Sequence, residues 1–71
     1  GLQRAFKLAG AKRILMSLWD VSDFHTSLLM ESLYRHLIEG DDLEIALSKS
    51  KNELRREYDS PIYWGGFILL N

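Results

Sequence analysis

Seventy-one residues with no cysteine, 46% hydrophobic, 27% charged and a formal net charge of −1 form an ordinary globular composition. Lacking cysteine, the chain can form neither a disulfide nor a thiolate metal site. Its near-balance of 9 basic and 10 acidic residues offers no basic stripe to nucleic acid. The uncharged runs 14–19 and 60–71 are too short to span a bilayer, and Arg4, Lys7, Lys12 and Arg13 break up any signal-like start. A cytoplasmic chain with no membrane, cofactor or metal partner is expected. A chain this short buries only about 60% of its unfolded surface, so cover from a partner is expected as well.

The first expected element is a helix. Leu2, Ala5, Phe6 and Ala9 follow the i, i+3, i+4, i+7 spacing of one helix face, and Gly10 stands where a C-terminal cap belongs. Residues 14–19 (ILMSLW) are a short, near-continuous apolar run that reads as a strand covered on both faces, as in mostly parallel sheets. From 23 to 39, Thr26, Leu29, Met30, Leu33, Tyr34, Leu37 and Ile38 mark one face of a helix. Glu31 and Arg35 are spaced as an i, i+4 ion pair on its other side, and Gly40 ends it.

A second helix opens on a capping-box pattern, with Asp41 as the cap and Glu44 three residues on. Leu43, Leu47, Ser50, Leu54 and Tyr58 form its buried stripe. Pro61 closes the connection, and residues 63–70 read as a last strand in which Gly65 and Gly66 allow close backbone approach. The order is helix, strand, helix, helix, strand. The short turn at Gly40 makes the two central helices an antiparallel hairpin, which sets the last strand antiparallel to the first. Two strands make no stable sheet alone. The expected fold class is therefore α/β, as the C-terminal part of a larger three-layer domain. In that domain the strand 14–19 lies centrally; its missing neighbour leaves an apolar edge that templates pairing, so a homo-oligomer is expected.

Several motifs then carry a resemblance. GLQRAFKLAGAKRILMSLWDVSD (1–23) resembles the back half of the CHAT domain, a caspase-like module of the cysteine-peptidase clan that includes separase, often joined to tetratricopeptide repeats. The matching residues include Gly1, Leu2, Arg4, Ala5, Phe6, Ser17, Leu18, Trp19, Val21 and Asp23. LLMESLYRHLIEG (28–40) resembles the family's next helix, and SPIYWGGFILLN (60–71) its closing strand. The resemblance implies a caspase-like three-layer domain acting as a cysteine endopeptidase on protein or peptide substrates, with its catalytic histidine and cysteine upstream of these residues. The chain holds no cysteine, so a thiolate nucleophile is missing from it and the 71 residues alone are expected to be inactive. Its expected partner is the missing N-terminal half of the same domain. The alternative is a non-catalytic interaction or oligomerisation module from a pseudo-peptidase.

The candidate site residues are Asp20 and Asp23, just beyond the end of the first strand. Ligand sites in open α/β sheets lie beyond the carboxyl ends of strands. LWDVSD (18–23) is similar to a separase turn that helps form the substrate pocket, where acids favour a basic side chain. Helix capping competes for the same residues, since Asp23 or the neighbouring Ser22 is a favoured N-cap. A Ser17, His25, Asp20 triad lacks the glycine pattern of a nucleophile elbow. Trp19, Tyr63 and Trp64 read as strand-end packing, and His25 and His36 as solvated helix positions.

Overall fold

The computed structural model describes residues 4–8, 10 and 12–70. It contains strand β1 (Ala5–Lys7), strand β2 (Ile14–Ser17), helix α1 (Asp23–Ile38), helix α2 (Leu43–Glu57), a single 3-10 turn (Pro61–Tyr63) and strand β3 (Phe67–Leu70). The sheet order is β1-β2-β3 with both pairings antiparallel. The fold is thus mixed α/β; the closing strand runs antiparallel to Ile14–Ser17 as expected, and because β1 does so too the sheet is antiparallel throughout rather than mostly parallel. No helix of the described residues is long and apolar enough to cross a membrane.

The first element corrects the expected helix. Leu2 and Ala9 lie outside the described residues, and between them Ala5–Lys7 is extended, with Phe6 turned inward and its neighbours outward. A helix of so few residues is marginal without tertiary cover, whereas β2 provides backbone partners at once: Phe6 lies opposite Leu15, and the Ser17 N–H donates to the Arg4 carbonyl at 2.9 Å. Gly10, at φ 74°, bends the chain between the strands, where an L side chain would be strained. The same finding corrects the expected open edge. β2 has a neighbour on each side, so its backbone is covered from within.

The two helices follow their hydrophobic period. Ser22 caps α1, its Oγ accepting from the His25 N–H, and Asp42 caps α2 by accepting from the Ile45 N–H. Asp42, not Asp41, is therefore the cap, and Gly40 at φ 104° makes the turn. Leu29 and Leu33 of α1 and Ala46, Leu47 and Leu54 of α2 join Leu8, Leu15, Val21 and Phe67 in one buried cluster. Ile38, expected on the buried face, is the last residue of α1 and is 85% exposed. The closing segment is also shorter than expected: residues 61–66 turn rather than extend. The N–H groups of Trp64 and Gly65 both donate to the Pro61 carbonyl, at 3.2 and 2.6 Å.

Polar groups tie the hairpin together. Glu53 of α2 accepts from Ser32 Oγ at 2.6 Å and pairs with Arg35 and His36 of α1. Arg35 thus reaches across the hairpin instead of pairing with Glu31. The other ring nitrogen of His36, Nδ1, faces Glu39 at 3.3 Å and Asp41 at 3.6 Å. His36 is half-buried among carboxylates, not solvated.

The hydrogen bond from Ser32, with those from His36 and Arg35, overrides partial desolvation and lowers Glu53 from its ordinary 4.5 to about 2. A depressed carboxylate contributes stability above its unfolded pKa and loses it as pH falls toward the folded value. Stability should therefore decline between about pH 4.5 and 2. The loss assigned to Glu53 is about 1 kcal/mol, less than the full shift because the carboxylate is partly solvated. In denaturant melts across this range, Glu53→Gln should flatten that limb; a limb as steep as in the parent chain would show that Glu53 does not set it.

Candidate functional site

The turn 18–22 leaves β2 and enters α1. Trp19 holds it in place: its Nε1 donates to the Ile62 carbonyl at 2.7 Å, and its ring lies on the backbone of Gly66. A Cβ at residue 66 would meet the ring at 2.8 Å, so only glycine fits there. Val21 is buried, which anchors the far end of the turn.

The two candidate acids sit on the outer side of this turn. Asp20 is exposed in the turn itself. Asp23 is the first residue of α1, where its charge suits the positive end of the helix dipole. It pairs with the Arg4 guanidinium at the start of β1, although its side chain remains 83% exposed. Arg4 also reaches beneath the turn through its backbone N–H, which donates to the buried Ser17 hydroxyl at 3.1 Å. The capping role belongs to Ser22, so neither acid is needed to start the helix.

Beside the acids is an aromatic cluster that sequence reading missed. The His25 ring stacks on Tyr63 with centroids 4.1 Å apart at 25°, and meets Tyr58 edge-on at 4.6 Å. Its Nδ1 lies 2.6 Å from Ser22 Oγ. Phe24, 61% exposed, flanks the same ring. These residues come from α1, the end of α2 and the 3-10 turn. They are far apart in sequence, and the available signal was only the recurrence of tyrosines around Pro61. Trp64 is held separately, its Nε1 donating to the Tyr58 carbonyl at 3.0 Å.

The Ser17, His25, Asp20 triad is not assembled. The Ser17 hydroxyl is buried and engaged by Arg4, and His25 is engaged by Ser22. No group of three His, Asp or Glu among the described residues is arranged to hold a metal ion. This end of the sheet thus presents two carboxylates on a braced turn, next to aromatic rings.

The sequence matches the CHAT domain family over residues 1–71. The chain belongs to that family. Two curated relatives are also similar to this CHAT chain. Tetratricopeptide repeat protein 28 of Homo sapiens is 31% identical over 71 residues, covering 97% of this chain and 3% of the relative. Its Mus musculus counterpart is 28% identical over the same share. The chain therefore spans about 3% of the length of the curated relatives it matches. No solved structure matches.

Substitutions at the CHAT turn separate its parts. Gly66→Ala should cost about 1–3 kcal/mol by forcing Trp19 aside, read as a lower melting temperature with altered tryptophan fluorescence. Ser22→Ala should cost about 1 kcal/mol as a lost cap. Asp23→Asn should cost only about 0.5 kcal/mol, since it removes an exposed ion pair. Equal losses for Ser22→Ala and Asp23→Asn would contradict the assignment of the cap.

Proposed function

We propose that these residues are the C-terminal subregion of a caspase-like CHAT domain that acts as a cysteine endopeptidase. In this reading they supply part of the core, and Asp23 and Asp20 supply part of the wall of the substrate pocket. The nucleophile and its base come from the missing N-terminal half of the domain. The observation that carries the reading is the second face of the sheet. The register puts Ala5, Lys7, Ile14, Met16, Ile68 and Leu70 together on the side away from the helices. All but Lys7 are apolar, and Ile14 and Leu70 are 38% and 40% exposed. A sheet apolar on both faces belongs between two layers, and only one is present among the described residues. Asp20 and Asp23 lie just beyond the carboxyl end of the central strand, exposed at the turn into α1. The protonated partner they suit is a basic side chain of the substrate.

A second reading, a non-catalytic interaction module from a pseudo-peptidase, draws on the relatives' printed names, which identify tetratricopeptide repeat proteins rather than peptidases. The two readings separate on the rest of the domain: a histidine and a cysteine following neighbouring strands favour the first, and their absence the second.

The chain alone should cleave no member of a fluorogenic peptide library; turnover that tracks with the folded chain through purification would overturn the reading. Co-expressed with the rest of its domain, the chain should form a stable complex that Met16→Glu disrupts while α1 and α2 stay helical. In the active complex, Asp23→Asn should weaken cleavage after basic residues more than it lowers stability. Without that complement, copies of the chain should associate through the same apolar face.

A further inference from the structure

A second concave surface lies away from the acidic turn. Between α2 and β3 is a cavity of about 400 Å³ lined by Glu44, Leu47, Ser48 and Lys51 on one side, Phe67, Ile68 and Leu69 on the other, and Arg13. Its floor is apolar: Leu47 and Phe67 belong to the buried cluster and Leu69 packs against it.

One wall is a strand edge. β3 is the last strand of the sheet, with no further neighbour among the described residues. The Leu18 N–H donates to the Gly66 carbonyl at 2.8 Å, so Gly66 and, by alternation, Ile68 and Leu70 bond to β2. The backbone groups of Phe67 and Leu69 therefore point outward along the groove. Such a row is ready to pair with an added strand.

The other wall is short of negative charge. Arg13 and Lys51 both line the groove, against one carboxylate, Glu44. Glu44 Oε1 accepts from one terminal nitrogen of Arg13 at 2.9 Å. The Nε of Arg13 is buried and bonds to nothing among the described residues, an unusual state for a guanidinium nitrogen. Burial also pulls the Lys51 ammonium below its usual range. A carboxylate brought to this wall would meet the Lys51 ammonium and the exposed part of the Arg13 side chain, 29% of which is open to solvent, while the buried Nε stays out of its reach.

We propose that the groove between α2 and the outer edge of β3 docks an extended acidic peptide, which pairs with the backbone of Phe67 and Leu69 and sets a Glu or Asp carboxylate against Arg13 and Lys51. Side chains alternate along a strand, so the Glu residues are the ones that face α2: their carboxylates meet Arg13 and Lys51, their methylene stems lie over Leu47 and Leu69, and the main-chain groups pair with β3. A second copy pairing through its own Phe67–Leu70 would bring no carboxylate, because that strand carries none. A free anion would leave the apolar floor and the strand edge unused. The site is separate from the turn of Asp20 and Asp23, and its occupancy does not depend on whether the domain cleaves peptides.

The test is a fluorescence-polarisation titration of the 71-residue chain with a blocked octapeptide whose central residues are Val-Glu-Val-Glu. Two controls accompany it: the same peptide with Gln for Glu, and the acidic peptide N-methylated at alternate residues. The acidic peptide should bind roughly three- to tenfold more tightly than the Gln peptide, and N-methylation should abolish binding. Lys51→Met keeps the apolar stem and removes the charge, so it should bring the acidic peptide down to the Gln peptide and leave the latter unchanged. Arg13→Lys should act in the same direction while keeping Glu44 paired. Thermal melts establish that each variant is folded. Equal affinity for the two peptides, no binding, or a folded Lys51→Met chain with unchanged preference would overturn the proposal. So would a dimer, resistant to the peptide, in which the Phe67 and Leu69 amides are protected from hydrogen exchange.

Discussion

Two helices must roof one face of a three-stranded sheet, and the contact that makes this possible is the burial of Leu15 and Phe67 beneath the apolar stripes of α1 and α2. Leu15 and Phe67 are both at 0% exposure, and they come from adjacent strands of the sheet. Three strands with helix cover are near the minimum that a sheet needs to persist in water. Every other feature positions that contact. Gly40 turns the hairpin so that both stripes face the same way, and Glu53 holds the helices together through Ser32, Arg35 and His36. Trp19 brings the closing segment back to β2 by seating its ring on Gly66. The acidic turn is held at both ends, by the bond of Trp19 to the Ile62 carbonyl and its seat on Gly66 at one, and by the burial of Val21 in this core at the other.

The helices were the most legible part of the sequence because their apolar residues repeat at 3.6 over several turns. Thr26, Leu29 and Leu33, like Leu47, Ser50 and Leu54, are buried as their spacing indicates. The first segment misled because Ala5 and Phe6 fit a helical face as readily as a short strand. The pairing of Phe6 with Leu15 decides between them, and it is a tertiary effect. Pro61 and the two glycines shortened the last strand for a local reason: the Pro61 carbonyl collects two N–H groups and closes a tight turn. Arg35 shows the limit of spacing rules. Its i−4 partner was visible in the sequence, but Glu53 on the facing helix also offers Ser32 and His36 a shared acceptor.

For the candidate site, sequence reading located the turn but not its bracing. Asp20 and Asp23 are exposed at its outer side. Arg4, which the sequence marked as a family-motif residue and an N-terminal charge, proves to be the residue that pairs with Asp23. The stack of His25 on Tyr63 joins three elements and leaves no periodic trace. The family assignment rests on the whole chain and describes its kinship.

The doubly apolar character of β2 has a cost in specificity. In most half-buried strands, slipping by one residue moves polar side chains into the core and is thereby forbidden. Here a slip would carry Ile14 and Met16 to the helix side in place of Leu15 and Ser17, which hydrophobicity alone would not oppose. What opposes it is positional. The Ser17 hydroxyl would lose the Arg4 N–H, and Trp19 would leave the one residue without a Cβ on which its ring can lie. The register of the whole sheet is therefore encoded by one small hydroxyl and one missing methyl group, not by its oily residues. A sequence that kept every apolar position but exchanged Ser17 and Gly66 would retain its pattern while losing the information that aligns it.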